Sequence, residues 1–497
     1  MHKMQAVIIH KSDTVAVALE NLAAGSTVET AAGPVVLKED ITRGHKFALK
    51  DIPAGENIIK YGFPIGHASC DIKKGEHVHC HNVKTNLSGA GSYVYQKKPA
   101  AVLAHTERTF SGYRREKGPA GIRNEVWIIP TVFCVNHIAR ELENYGLGRL
   151  QAYANVDNVV ALTHPFGCSQ MGEDQKTTQK ILSALARHQN AGAVLILGLG
   201  CENNNIGVFK EFLDLSDPRL HFLNCQDADD ELAEGFRLID ELLKQADQCR
   251  RTPMPLSELR IGLKCGGSDG LSGITANPLI GRVSDLIVGA GGTSVMTEVP
   301  EMFGAEQLLM DRAVSSDVFD KTVKLINNFK GYFQSHGETV SENPSPGNKA
   351  GGITTLEDKS LGCVQKGGTA EVQDVITYGD RIRTRGLNLL QGPGNDGVSS
   401  TALAAAGVDI ILFSTGRGTP FATAVPTVKI STNTDLYRRK GGSWIDFNAG
   451  AIVDGSSFDD LAGELLDKLI TIASGAKTVS EKRNFHEIVI WKDGVTL

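Results

Sequence analysis

Five short apolar runs in this chain each break off into a polar, mostly glycine-containing segment, and no other feature narrows the fold so far. Residues 158–163 lead into HPFGCSQ (164–170), 193–199 into GCENNN (200–205), 259–263 into KCGGSDGLSG (264–273), 293–297 into EVPEMFG (298–304) and 409–413 into STGRGTP (414–420). A strand at 125–130 precedes them, and helical patterns occupy 136–145, 174–188 and 230–247. Short apolar strands alternating with helices of about ten to fifteen residues predict a parallel, three-layer α/β sheet. In such sheets ligands bind beyond the carboxyl ends of the strands, where loops converge and helix N-termini present free N–H groups. The five polar segments occupy that edge, so a binding site is expected there. None carries the G-x-G-x-x-G spacing of a dinucleotide fingerprint or a G-x-x-x-x-G-K-[ST] phosphate loop, which argues against a nicotinamide cofactor or ATP. A proline-containing stretch at 251–255 reads as a break in the pattern.

The first ninety or so residues behave differently. LAAG (22–25), ITRG (41–44), IPAG (52–55) and IKKG (72–75) repeat, each followed by a short β-favouring run, which predicts a small all-β domain built from turn-then-strand units. This region holds seven of the 14 histidines: His2, His10, His45, His67, His77, His79 and His81. If GEHVHCHN (75–82) is a strand, His77, His79 and His81 project from one face. That face is either a solvated polar edge or a set of metal ligands. His45, beside Gly44 at one of the repeat turns, is a further ligand candidate, so the expected set is His45, His79 and His81.

Between about 89 and 121 the chain loses its period, which places a β domain at 1–95, a linker at 96–121 and α/β domains at 122–252 and 256–497. At 497 residues the chain is too long for one core. A net charge of -6 with no long Lys/Arg run argues against a nucleic-acid partner. The opening MHKMQAVIIHKSD is too short an apolar run for a signal peptide, and no segment approaches the roughly 20 apolar residues that cross a bilayer. The expectation is a cytoplasmic protein without membrane contact, free to form a homo-oligomer. Nine cysteines without a CxxC pair read as reduced thiols, some of them potential ligands.

Residues 342–363, ENPSPGNKAGGITTLEDKSLGC, mix prolines and glycines with polar residues and sustain neither period, so they read as a long functional loop pinned by Ile353, Leu356 and Leu361. Together with the strand-end loops it supplies acids, cations, amides and hydroxyls, equipment for a small polyhydroxylated acid. Lys349, His164 and Glu298 are the candidate acid/base residues, and Ser268, Asp269, Asn348, Thr354 and Arg417 the candidate substrate ligands. Proton abstraction beside a carboxylate needs a base of tuned pKa and an electrophile, typically a divalent metal, to hold the developing charge. Cys168, Cys201, Cys265 and Cys363 each stand beside glycine at a loop start. They are either buried small hydrophobes or an alternative ligand set for iron or a cluster.

The sequence resembles the altronate dehydratase and galactarate dehydratase family of sugar-acid hydro-lyases over nearly its whole length. DITRGHKFAL, IKYGFPIG and GEHVHCHN carry the likeness in the first domain, RNEVWIIPTV and GCSQ in the second, and CGGSDGLSGITANP, TEVPEMFGAEQLLMD, residues 342–363, STGRGTP and PTVKI in the third. The resemblance implies a β-clip, SAF-type N-terminal domain ahead of a large α/β part with mainly parallel sheets, and dependence on Fe2+ or Mn2+. It also implies loss of water from D-altronate to give 2-keto-3-deoxy-D-gluconate, in hexuronate catabolism. Which residues hold the metal does not follow from it. Two alternatives stay open: a lyase of the same family acting on galactarate or a sulfonated hydroxy acid, and a non-catalytic sugar-acid-binding protein.

Overall fold

The computed structural model describes residues 4–496, so His2 lies outside the described residues. The N-terminal domain consists of short strands, all paired antiparallel, in sheets of four, three and two strands. Gly25, Gly44, Gly55 and Gly75, the last residues of the four repeats, all adopt positive φ between 77° and 86°. A side chain is disfavoured there, which is why the repeat ends on glycine.

Two parallel α/β sheets follow. In the second domain the strands are β1 (Glu125–Pro130), β2 (Val159–Ala161), β3 (Ala191–Gly198) and β4 (Leu220–Asn224), ordered β2-β1-β3-β4. The helices α1 (Asn136–Leu147), α2 (Gly172–Ala186) and α3 (Glu231–Ala246) pack on them. All eight residues of β3 are buried, as a strand covered on both faces requires.

The third domain contains β5 (Arg260–Cys265), α4 (Ala276–Gly289), β6 (Thr293–Met296) and α5 (Ser316–Ser335). After these come α6 (Pro346–Ala350), α7 (Leu356–Cys363), β7 (Val372–Ile376), β8 (Gly386–Leu390) and α8 (Asp396–Ala406). The strands β9 (Ile410–Thr415), β10 (Thr427–Ser431) and β11 (Phe447–Asn448) complete a seven-stranded, wholly parallel sheet ordered β7-β8-β6-β5-β9-β10-β11.

Three local readings change. The stretch 251–255 is no break but a strand, Arg251–Pro255, paired antiparallel with Thr109–Tyr113. A two-stranded ribbon is all edge, and Pro253 and Pro255 are tolerated in such a position. Residues 342–363 are not a continuous loop, for α6 and α7 lie inside them. Ser345 caps α6 in a reciprocal box with Asn348, Pro346 occupies its first turn, and Thr355 accepts from the Asp358 N–H at the start of α7. Helices of five and eight residues are too short to display a period, and all eight residues of α7 are buried, so no polar face marks it. Finally, the strand at GEHVHCHN stops after His77–Val78. The Asn82 side chain donates to the His77 carbonyl and accepts from the His79 N–H, which turns the chain before His81.

The segment after the β domain is laid along the third domain. Gly91 exchanges hydrogen bonds with Asn327, Tyr95 donates to the Ala313 carbonyl and His105 to that of Gly289. One hydrophobic core runs across the boundary, joining Ile58, Ile65 and Val78 to Leu263, Leu356 and Leu361. Among the described residues no helix is long and apolar enough to cross a membrane.

Burial holds two histidines near the second domain neutral: His164 is pushed down to about 4 and His188 well below its ordinary value. An unfolded chain protonates both near pH 6.5, so their contribution is complete above that pH and lost as pH falls toward the folded value. For His164 the loss amounts to about 3 kcal/mol by pH 4. The melting temperature should therefore fall steadily from pH 6.5 to 4.5, and a flat profile would contradict the assignment.

Candidate active site

β5 opens the third domain's sheet, β6 lies on one side of it and β9 on the other, so the loops after β5 and β9 leave in opposite directions. The crevice this creates is the place where open α/β sheets bind ligands. Its floor is tight. Gly266 donates to the Ser414 carbonyl and Gly416 to that of Gly267, at 3.0 and 3.1 Å.

The N-terminal domain closes directly over this edge. A Cβ on Gly270 or Gly352 would stand 2.0 or 2.2 Å from the Gly44 carbonyl oxygen, so the approach requires glycine at both positions. Two buried lysines of the β domain grip one carboxylate of α7: Lys46 reaches Asp358 Oδ2 and Lys60 reaches Oδ1, each at 2.9 Å. Against the effect of burial, the two ammonium groups hold the Asp358 carboxyl well below the usual carboxylate range. Lys46 also donates to the Gly352 carbonyl at 2.7 Å. Beside this clamp Thr85 and the Asn86 N–H bind Glu357, and Thr355 donates to the Ile65 carbonyl.

Docked in this way, the β domain presents a cluster of imidazoles. Ligand-capable nitrogens of His45, His77 and His79 all lie within 4.8 Å of one another. His45 Nδ1 is 2.9 Å from His77 Nε2, and its other nitrogen is 3.3 Å from the Ala350 carbonyl of α6. His79 Nδ1 is buried with no hydrogen-bond partner among the described residues. Burial, reinforced by Lys46 and the neighbouring rings, pushes His77 down to about 4 and His79 to about 3, and His45 is lowered as well. The rings are therefore neutral near pH 7, the form that binds metals. Three neutral imidazoles, an orphaned ring nitrogen and a backbone carbonyl that can orient His45 fit the Fe2+ or Mn2+ implied by the family resemblance. His81 is not part of this cluster: it is exposed in the turn that the Asn82 side chain closes, and His77 takes its place.

A second cluster lies deeper. Cys265, at the end of β5, and Cys363, at the end of α7, flank Glu301, which follows β6. Their sulfurs are 2.8 and 3.1 Å from Glu301 Oε2 and 3.6 Å from each other. Lys359 holds the other Glu301 oxygen at 2.7 Å. Glu298 accepts from Lys264 and from the Cys265 N–H, with Lys366 at 3.7 Å, and Lys264 also reaches Asp396 at 2.8 Å. The hydrogen bond with Cys363 draws the Cys265 thiol below its ordinary value against the effect of burial, and Cys363 is raised in turn. Cys168 and Cys201 are not in this group. They sit in the second domain against Asn203 and Gln226, so the four-cysteine set is split.

The other expected residues divide in the same way. Lys349 is half-buried on α6, one residue before the Ala350 carbonyl that faces His45, and its ammonium has no partner among the described residues. Arg417 is exposed, and a Cβ on Gly347 would stand 3.9 Å from its Cδ and Nε, so the two cations flank one turn. The hydroxyls of Ser268 and Thr354 are buried and unpartnered. Asp269 is occupied by Ser272, Thr432 and Asn433, and Asn348 by Ser345 and the Ser268 carbonyl. His164 is not brought to the crevice. Its ring lies in the second domain, hydrogen-bonded to the Pro130 carbonyl and the Phe166 N–H. Sequence reasoning missed Lys46, Lys60, Lys264 and Lys366. A lysine inside an apolar run, as in IGLKC and NIIK, was the available signal, because burial without a carboxylate partner would be prohibitive.

The architecture is that of a multidomain α/β enzyme whose cationic crevice is completed by an N-terminal SAF domain. Three family descriptions match in succession: "Altronate/galactarate dehydratase SAF domain" over residues 4–86, "D-galactarate dehydratase/Altronate hydrolase, second domain" over 112–247, and "D-galactarate/Altronate dehydratase, C-terminal" over 256–496. The chain belongs to the altronate and galactarate dehydratase family. It is 52% identical to the altronate dehydratase of Escherichia coli over 99% of this chain and 100% of that one. It is likewise 52% identical to the altronate dehydratase of Bacillus subtilis, over 98% and 99% of the two chains. The galactarate dehydratase (L-threo-forming) of E. coli is 33% identical over 96% of this chain and 94% of its own.

If the imidazoles form the metal site, His79→Ala protein loaded with Fe2+ or Mn2+ should retain less than a tenth of the wild-type metal at that site, while His81→Ala retains all of it. Equal metal content in the two variants would remove the site from the β domain.

Proposed function

We propose that the protein is a hydro-lyase that converts D-altronate to 2-keto-3-deoxy-D-gluconate. The observation that carries this reading is full-length 52% identity to two altronate dehydratases, against 33% to a galactarate dehydratase. The crevice supports it with free cations for a carboxylate and unpartnered hydroxyls for a polyol.

The reaction breaks the C2–H and C3–O bonds, releases one water and leaves an enol that tautomerises to the 2-keto acid. Fe2+ or Mn2+ held by His45, His77 and His79 would supply Lewis-acid stabilisation of the negative charge that develops when the C2 proton leaves. Arg417 and Lys349 flank the turn at Gly347 and are placed to fix the substrate carboxylate. Lys349, with no partner among the described residues, is also the residue available to take the C2 proton. Ser268 and Thr354 orient the sugar hydroxyls.

Chelation should abolish turnover of D-altronate, and Fe2+ or Mn2+ should restore it. Full activity in a preparation shown to be metal-free contradicts the mechanism. Substrate choice is read from 2-keto acid formation across a panel of aldonates and aldarates, where galactarate as the better substrate would transfer the assignment to the sister activity. Binding of the panel without turnover would favour a binding protein. Lys349→Met should lower kcat about 100-fold or more if the residue moves the proton. A raised KM at unchanged kcat would make it a carboxylate clamp instead.

A further inference from the structure

We propose that Cys265, Glu301 and Cys363 form a second metal site, selective for a thiophilic dication such as Zn2+ or Fe2+ and separate from the imidazole cluster. The three donor atoms, now joined by hydrogen bonds, stand close enough together to share one ion. A point equidistant from them lies about 1.9 Å from each, and bonds of about 2.0–2.3 Å to oxygen and sulfur place an ion just off their plane without backbone movement. Beside Cys363, Lys359 and Ser268 lies a cavity of about 10 Å3, room for one water.

Charge supports the same conclusion. Lys264, Lys359 and Lys366 are matched in number by Glu298, Glu301 and the partly exposed Asp396, so the group is neutral when both thiols are protonated. A dication that displaces the two thiol protons, M2+ + 2 RSH → M(SR)2 + 2 H+, leaves that balance unchanged. Lys359, bonded to the second oxygen of Glu301, fixes the carboxylate in the manner of an outer-sphere partner. Thiolates select soft ions over Mn2+, Mg2+ or Ca2+, whereas the imidazole cluster offers three ring nitrogens. Cys265, Glu301 and Cys363 are 1%, 4% and 3% exposed, so substrate does not reach this ion. Its role is to tie the end of β5, the turn after β6 and the end of α7 together beneath the crevice.

The test uses full-length protein kept anaerobic, its thiols verified reduced by alkylation and mass, stripped with chelator and titrated with Co2+. A thiolate-to-cobalt charge-transfer band in the near ultraviolet should grow to one equivalent. It should persist in His45→Ala and vanish in both Cys265→Ser and Cys363→Ser. Zinc-loaded wild type should hold one metal ion more per chain than either serine variant, a count taken only on protein with wild-type circular dichroism. Absence of the band in reduced wild type, its survival in the serine variants, or a Cys265–Cys363 disulfide in the anaerobic protein would each overturn the proposal.

Discussion

The structure hangs on one buried carboxylate. Asp358 receives Lys46 and Lys60 from the β domain at 2.9 Å each, and all three side chains are essentially without solvent contact. A buried ion pair is weak evidence of net stability, because desolvation consumes much of the attraction. Removing one partner is a different matter, since an uncompensated buried charge costs about 3–5 kcal/mol. The clamp therefore specifies rather than merely stabilises: only one docking of the β domain brings two ammonium groups to the two oxygens of Asp358. Lys46 is the neighbour of His45, so the same docking fixes where the imidazoles lie.

From Asp358 the order propagates along α7. Lys359, the next residue, binds Glu301, and Cys363 at the helix end meets Cys265 and the same carboxylate. Eight residues thus connect the imidazole face above the crevice to the ionic cluster beneath it, and every one of them is buried. Lys349 and Arg417, by contrast, are left outside these networks. Groups without internal partners at the mouth of a crevice are those free to meet a ligand, whereas Glu298 and Asp269, equally polar, are committed to holding the loops in place.

Much of this was legible in the sequence, for physical reasons. Strands β1, β3 and β9 are buried on both faces and read as mainly apolar runs, and the repeat glycines mark turns that only glycine adopts cheaply. The loops at the carboxyl edge followed from the direction of those strands. What was not legible depended on contacts distant in sequence. The helices α6 and α7 are too short to show a period, and the pairing of Arg251–Pro255 with Thr109–Tyr113 spans well over a hundred residues. Strand alternation makes His81 equivalent to His77 in sequence, and one side chain, Asn82, ends that alternation. His164 looked catalytic from its loop, but its domain spends both ring nitrogens internally. The buried lysines were visible only as polar interruptions of apolar runs.

The central claim is that imidazoles of one domain and loops of another act on a single bound sugar acid. Paramagnetic relaxation of 13C-labelled D-altronate bound to Mn2+-loaded protein tests it most directly. The account predicts that C1 and C2 relax fastest, that the effect declines toward C6, and that it disappears when His45 and His79 are both replaced by alanine. Weak relaxation, uniform along the sugar, in protein that binds Mn2+ and turns over altronate would place the metal away from the substrate and contradict the shared site.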